Sequence, residues 1–365
     1  MREKVAVIYN EPLPGRYHDL GEGGAVAGVL DAVASVCQAL NALEYEVQVL
    51  ALKPPLSKIK NQKSNIKEAL KQLSVDIVFN LFEGFDDSPK SEAEVAYLLE
   101  KMGVCFSGSP GHALLLSQNK AVAKQVLRQQ GIPTPDWQVL SPENVILTLN
   151  EVKGKNLHFG LTFPCIIKPL NTHASHGLSE KSVVEDFPAL AKQASFIHRA
   201  YGQPALVEEF LPGREFCALI MGNGHPRIYP IEEIIYTLPP DKPRILAYPA
   251  KWDSQDDYFR GTKVRCPAEV SPELKQEIET LALHSFLVFG CRGYARVDVR
   301  QDKEGRIKVL DVNPNPDIGS EGGARQQTEA AGLDYPAFIG EILSLAKEAF
   351  LTSGICKENV TTQPY

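Results

Sequence analysis

The sequence predicts a mixed α/β and α+β protein in three parts. Residues 1–117 read as an N-terminal βαβ domain with a parallel sheet, and 118–206 as a small central α+β unit. Residues 207–350 read as a C-terminal α+β unit with a mainly antiparallel sheet, and 351–365 as a polar tail. Three observations predict this. Short apolar runs alternate with helix-like segments through the N-terminal third. From about Leu157 the texture changes to strand, loop, strand. Late in the chain, "YARVDVRQDKEGRIKVLDVNPN" reads as a long hairpin.

The N-terminal strands are "VAVIYN" (5–10), "VQVLAL" (47–52), "DIVFNLF" (76–82) and "VCFSG" (104–108). Helix-like patterns fill 26–43, 65–73 and 91–102, and strands alternating with helices build a parallel sheet. The loops "DLGEGGAVAG" and "GSPGH" lack the glycine spacing of a dinucleotide fingerprint and read as tight turns. A helix over 118–130 ends at Gly131, and "IPTP" prevents its continuation, which makes a seam between domains. Beyond it come "FPCIIKP", the loop "THASHG", a helix over 186–200, and "PALVEEFLPGREFCALIMG", whose alternation suits antiparallel strands. Helices over 272–289 and 335–350 follow, and "CKENVTTQPY" closes the chain as a polar tail.

Composition narrows the function. With 365 residues, 44% hydrophobic and 23% charged, the chain is ordinary globular material. A formal charge of −7 argues against a general nucleic-acid surface. No apolar run approaches the roughly 20 residues of a membrane span. The start "MREKVAVIYN" runs directly into a strand, with no leader pattern. Seven cysteines sit singly, without Cys-x-x-Cys, and read as reduced core thiols of a cytoplasmic protein.

An even loop at "DKEG" pairs residues whose numbers sum to 607, so Val297 faces Leu310. Ala295, Val297, Val299, Leu310 and Val312 then share an apolar face, and Arg296, Asp298, Asp311 and Asn313 share the other. Two readings stand. A solvated strand face with a surface ion pair accounts for Arg296 and Asp298. A magnesium site, which takes one or two carboxylates plus substrate phosphates, accounts better for "DVNPNP", where prolines end the strand just as Asn313 meets a ligand.

Lys168 ends an apolar strand before a loop of small and polar residues, where it either snorkels to water or meets a phosphate. His173 and His176 read as polar loop residues. "LVEEFLPGREF" carries Glu208, Glu209 and Glu215 around a proline-glycine turn. It is either a solvated edge or a linker lining an adenine slot.

Taken in order, these parts resemble the ATP-grasp superfamily and, within it, the D-alanine–D-alanine ligases, from about Ser117 to Gly332 and more weakly before that. The resemblance implies an ATP site. "LSQNKAVAKQVLRQQGIPTPDW" supplies Lys120 and "IIKP" supplies Lys168. "VEEFLPGREF" places Glu208, Glu209, Phe210 and Leu211 around adenine, with Glu215 at the ribose. "YPAKWDSQDDYF" resembles a mobile loop with Lys251 reaching phosphate. "YARVDV" and "VLDVNPNP" resemble the metal hairpin, with Asp298, Asp311 and Asn313 as ligands of Mg²⁺ or Mn²⁺ and Arg296 over the reacting carbonyl.

The departures lie on the amino-acid side. Asp311 stands where glutamate is usual. A serine pair is replaced by Ala174 and Ser175, of which Ser175 retains a catalytic role. The lid tyrosine is Trp252. An N-terminal glutamate falls near Ala25, a carboxylate-holding serine falls at Gly322, and a glycine falls at Asp317. Arg325 is placed to grip a substrate carboxylate instead, and Trp252 is counted with it on the substrate side. The implied activity is ATP-dependent carboxylate–amine ligation through an acyl phosphate, on an amino acid or dipeptide that can differ from D-alanine. The expected partners are ATP, a small-molecule carboxylate and an amine, with no nucleic acid or membrane, in a possible homodimer. The alternatives are an ATP-binding regulatory module without ligase activity, a phosphotransferase, and a dinucleotide-dependent oxidoreductase.

Overall fold

The computed structural model describes residues 2–13, 15–53, 62–85, 88–141 and 159–353. The texture change at Leu157 and the tail "CKENVTTQPY" lie outside the described residues.

The chain opens with β1 (Lys4–Asn10), the single-turn α1 (Arg16–Asp19), α2 (Gly23–Ala42), β2 (Glu46–Leu52), α3 (Gln62–Lys71), β3 (Ile77–Leu81) and α4 (Ser91–Lys101). The strands form a parallel sheet in the order β2-β1-β3, with Val5 level with Val47 and Ile77. The expected fourth strand contributes only a bridge, Val78 to Phe106. The expectation of no span-length apolar run is corrected by α2, which is long and apolar enough to cross a membrane by composition alone. Here Val29, Val33, Val36 and Leu40 of that helix are buried.

The single helix expected over 118–130 is two helices, α5 (Gly111–Gln118) and α6 (Lys120–Gln129), broken at Asn119. The Asn119 side chain accepts from the backbone N–H groups of Ala121 and Val122, capping α6 and fixing Lys120 as its first residue. This helix does not belong to the central unit. Ala123 and Leu127 pack into the C-terminal core beside Phe286 and Val297.

The central unit holds β4 (Trp137–Leu140), β5 (Cys165–Pro169), β6 (Val183–Val184), α7 (Phe187–Tyr201) and β7 (Ala205–Glu209). Its antiparallel sheet runs β4-β7-β5-β6, so the unit extends to Glu209 rather than ending at residue 206. Its core, including Ile167, Leu190, Ile197 and Val207, is separate from the others.

The C-terminal unit comprises β8 (Glu215–Gly222), β9 (Arg227–Ile228), β10 (Glu232–Tyr236), α8 (Pro249–Trp252), α9 (Asp257–Gly261), β11 (Thr262–Arg265), α10 (Pro272–Val288), β12 (Gly293–Gln301), β13 (Ile307–Asn313), α11 (Gly323–Ala330) and α12 (Tyr335–Thr352). Its antiparallel sheet runs β11-β10-β8-β12-β13, with β9 beside β8. One core joins this unit to the first: Val5, Val36 and Phe79 cluster with Tyr294, Ile339 and Ile342. Two units thus share a core while the central one keeps its own, and the space between them is where a ligand can enter.

Candidate active site

The hairpin register differs from the expected one. Asp298 stands directly opposite Asp311, Arg296 opposite Asn313 and Val297 opposite Val312; beyond a bulge, Val299 faces Val309. The grouping of Arg296, Asp298, Asp311 and Asn313 survives, because a shift of two residues preserves the face. Leu310 leaves the apolar face: it is the extra residue at the bulge and lines the cavity, while Val309 takes its place in the core.

One cavity between the central and C-terminal units is lined by Lys120, Lys168, Ser175, Glu208, Glu209, Phe210, Leu211, Glu215, Lys251, Arg296, Asp298, Asp311 and Asn313. All thirteen are residues singled out from the sequence. Ile166, Ile245, Leu246 and Leu310 give it an apolar side.

The cationic floor is a buried relay. Lys124 Nζ and Lys168 Nζ each lie 3.0 Å from Glu208, and Lys120 Nζ lies 3.3 Å from Asp311. Burial acts most strongly on the Glu208 carboxyl and pulls it upward, but Lys124 and Lys168 outweigh it and hold the group below its ordinary value. Asp311 behaves alike: burial raises it, and Lys120, Lys168 and Lys124 together bring it well below the carboxylate range. Burial pushes the Lys124 ammonium down, whereas Lys168 ends above its ordinary value because Glu208 and Asp311 overcome its burial.

On the hairpin, Arg296 holds Asp298 with two bonds of 2.6 and 2.9 Å, and Asn313 Nδ2 donates to the same carboxylate at 2.9 Å. Arg296 is therefore anchored by Asp298 rather than standing free. Glu215 accepts from Tyr236 at 2.7 Å and Arg300 at 2.9 Å. Glu209 is paired with Lys308 at 2.6 Å. Burial lowers the Lys251 ammonium, and Arg296 adds to that effect.

The loop over residues 170–177 is held in an unusual backbone. His176 N–H donates to the His173 carbonyl at 3.1 Å, and the two residues between them, Ala174 and Ser175, have φ of +52° and +61°. Neither is glycine, so the turn carries strain of about 1 kcal/mol or more per residue. Loss of hydration, then Lys120, pushes His173 down to about 4, so it is a neutral imidazole rather than a third cation.

The expected position of the family's N-terminal glutamate is near Ala25, and a carboxylate stands close by in sequence, on Glu22. It accepts from Gly177 N–H at 3.0 Å and Tyr201 OH at 2.8 Å, and it meets His176 Nδ1 at 2.8 Å. The Ala25 N–H instead donates to Tyr248 OH at 3.2 Å. Trp252 lies outside the cavity lining, over Gly24 and Gly28; a Cβ at Gly28 would come within 2.8 Å of its ring. Arg325 is not brought to the cavity. It pairs with Glu329 at 2.7 Å, donates to the Ser320 carbonyl and lies 3.7 Å from Glu321. Gly322 and Asp317 stand at the start of α11, where the Asp317 carboxylate approaches Gly322.

Sequence reasoning missed Lys124, Arg300, Glu232 and Glu22. The first two had a signal: Lys124 is one helical turn from Lys120, and Arg300 continues the alternation from Arg296 and Asp298. Glu232 had none.

The donor set fits a hard divalent cation. Two carboxylates face each other across the hairpin with a carboxamide beside them, and lysines adjoin them where phosphates would bridge.

Comparison with known proteins agrees. The family model described as the D-ala D-ala ligase C-terminus matches residues 126–344. The D-alanine–D-alanine ligase of Moorella thermoacetica is 27% identical over 349 residues, covering 94% of this chain and 99% of that one. The D-alanine–D-alanine ligase of Bacillus anthracis, solved in complex with ATP, superposes with a TM-score of 0.71 at 20% identity, over 96% of this chain and 100% of that one. The VanG D-Ala:D-Ser ligase of Enterococcus faecalis does so with a TM-score of 0.69 at 17% identity, over 95% and 100%. A match over more than half of the chain, joined to a lysine-and-carboxylate cavity at the hairpin, makes this chain a member of the D-alanine–D-alanine ligase family of ATP-grasp enzymes.

Proposed function

We propose that this enzyme is an ATP-dependent carboxylate–amine ligase working through an acyl phosphate, with a substrate pair other than two D-alanines. One observation carries the reading: Lys120, Lys168, Lys251, Arg296, Asp298, Asp311 and Asn313 line a single cavity. Adenine lies on the apolar side, against Ile166, Phe210 and Leu246, with the ribose at Glu215. The phosphates enter the cation field of Lys120, Lys168 and Lys251. Asp298, Asp311 and Asn313 would hold magnesium, or manganese through the same oxygens, and a bound ion supplies charge neutralisation at the phosphates.

The substrate carboxylate attacks the γ-phosphorus, the bond to the β-bridging oxygen breaks, and ADP leaves. Positioning and charge stabilisation carry most of such a step. The acceptor nitrogen, neutral when it attacks, adds to the acyl carbon; the C–N bond forms, the C–O bond breaks with its electrons going to phosphate, and the nitrogen's surplus proton leaves with that phosphate. Arg296, fixed by Asp298, faces the oxyanion. α8, tied to α2 through Tyr248 and Trp252, keeps water from the acyl phosphate.

The substrate departure rests on Gly322, Asp317 and Trp252, and on the similarity to a D-Ala:D-Ser ligase as well as to D-Ala ligases. ATP chemistry and six cysteines that form no disulfide among the described residues support a cytoplasmic setting. The test is an ADP-release screen over D- and L-amino acids, dipeptides and amines, with mass analysis of products. An amide product other than D-alanyl-D-alanine supports the proposal. D-alanine as the sole productive substrate refutes the substrate part, and ADP release without any amide refutes the ligase.

A further inference from the structure

Beyond the nucleotide cavity lies a smaller one between the first and last units. Asn80, Glu83, Tyr294, Asn315 and Asp317 line it over an apolar base, and no Lys, Arg or His is among its lining residues. Glu83, Asp317 and the nearby Glu92 make no ion pair among the described residues. The Asn80 side chain is 2% exposed, and its Nδ2 has no hydrogen-bond partner. The Asn315 Nδ2 also lacks one.

This cavity adjoins the reaction centre through the Gly322–Gly323 pair. A Cβ on Gly322 would lie 3.3 Å from the Asp317 carboxylate, and one on Gly323 would lie 2.7 Å from that of Glu232. Glu232 is 4% exposed, and its Oε2 has no partner. Arg296 and Lys251 both act on it electrostatically, and Asp317 acts on Lys251. A carboxylate at the start of α11 could simply answer the helix dipole. That role ordinarily comes with hydrogen bonds from the first-turn N–H groups, and among the described residues Glu232 Oε2 receives none. Arg325, the one guanidinium of that helix, is engaged by Glu321, Glu329 and Ser320 and is not available to a substrate carboxylate.

We propose that the acceptor carries two cationic nitrogens, as a diamine or a diamino acid does. The reacting one docks as an ammonium at Glu232 beside Arg296 and gives up its proton to that carboxylate before it attacks as a neutral amine, and the distal one stays an ammonium between Glu83 and Asp317. At the distal end, unpaired carboxylates around a cavity with no cation in its lining are complementary to an ammonium, and the free carboxamide N–H groups of Asn80 and Asn315 suit an oxygen of the same ligand. Loss of hydration, followed by the Asp317 charge, pushes Glu83 up to about 7, and loss of hydration, then Glu83, pushes Glu92 to about 8. An incoming cation relieves both. This rests on the ligase reading, since it names that enzyme's acceptor.

The test uses the full chain saturated with magnesium and a non-hydrolysable ATP analogue. Calorimetry then measures 1,4-diaminobutane, D-lysine and L-lysine against n-butylamine and D-alanine. At least one two-nitrogen probe should bind ten or more times more tightly than n-butylamine. E232Q and E83Q should each weaken it at least tenfold while leaving affinity for the ATP analogue unchanged. D-alanine binding as tightly as every two-nitrogen probe, or both variants retaining full affinity, overturns the inference. The two readings fail separately. A bound diamine with no amide formed from any carboxylate upholds the subsite and sinks the ligase, whereas turnover of D-alanine alone upholds the ligase and sinks the subsite.

Discussion

On the nucleotide wall, Glu208 lies 3.0 Å from both Lys124 and Lys168, and Asp311 lies 3.3 Å from Lys120. Across the reaction centre, Glu83, Glu92, Glu232 and Asp317 have no cation in an ion pair among the described residues. Both walls are rich in carboxylates, but their titration goes opposite ways. Glu208 and Asp311 fall below their ordinary values because nearby lysines outweigh burial. Glu232, buried, rises to about 7, half-buried Glu92 rises to about 8 through loss of hydration and then Glu83, and Glu83, whose side chain reaches the surface, rises to about 7 through loss of hydration and then the Asp317 charge. The first wall is balanced before any ligand arrives and needs only a rearrangement when phosphate enters. The second is left unbalanced, and a ligand of the opposite charge completes it.

The largest effect comes from unbalancing the balanced wall. Glu208→Ala leaves Lys124 and Lys168 buried without their shared counter-charge. Removing one partner of a buried pair costs about 3–5 kcal/mol, so the urea midpoint should fall sharply. The Glu208→Gln variant, which keeps the shape, separates lost charge from lost packing. A midpoint within error of the parent for both variants would show that Glu208 does not anchor the relay.

Arg296 stands at the border of the two walls, bound to Asp298 and acting on Glu232. Arg296→Ala removes the proposed oxyanion donor and should lower kcat by about 10²–10³. ATP affinity should change far less, because Lys120 and Lys168 remain. Equal losses in kcat and in ATP affinity would mean that Arg296 serves the nucleotide, and the border would have to be redrawn.

The two walls also differ in how far the sequence reveals them. The nucleotide wall is written in short local strings. "IIKP" and "YARVDV" each carry a side chain and the strand that aims it, and their faces follow from a period of two residues. The observed register lies two residues from the expected one: the turn between Gln301 and Ile307 is odd rather than even, which accounts for the first, and a one-residue bulge at Leu310, invisible to periodicity, accounts for the second. The acidic wall brings residues 83, 92, 232 and 317 together from two units. Glu232 sits in "YPIEEIIYTL", where nothing distinguishes it from its neighbour Glu233, yet one is an unpaired buried acid and the other is the partner of Arg214 at 2.6 Å. Glu22 was missed for a related reason: its role depends on His176, Gly177 and Tyr201, more than 150 residues away.

The acidic wall should show itself in pH dependence. The folded-state carboxyls of Glu83 and Glu92 stand above their ordinary 4.5, at about 7 and about 8. The folded state therefore binds these protons more tightly than the unfolded chain does. Their stabilising contribution is complete below pH 4.5 and is lost as pH rises through 7 to 8. The Tm should fall between pH 6 and pH 9. Glu92→Gln should flatten that fall, leaving the variant more stable than the parent at pH 9 by about 1 kcal/mol, the equivalent of roughly one pKa unit after allowance for solvent screening. A parent Tm that rises over this interval would mean that the wall is already compensated.

The smallest effect probes whether the balanced wall is also pre-shaped. Ala174 and Ser175 hold left-handed backbone at the loop tip, a conformation that costs non-glycine residues about 1 kcal/mol or more. Glycine at position 174 relieves that strain but adds back about 0.5–1 kcal/mol of chain entropy. The net stability of Ala174→Gly should therefore lie within about 0.5 kcal/mol of the parent. Nucleotide binding is a different matter, because in the proposed reading the constrained backbone presents this turn to phosphate before it arrives. A glycine there lets the turn sample other shapes, so the affinity for an ATP analogue should weaken severalfold while the Tm hardly moves. Unchanged affinity would show that the turn takes its shape from Glu22, which fixes Gly177 and His176 from behind, and that the strain at the tip contributes nothing to the grip on phosphate.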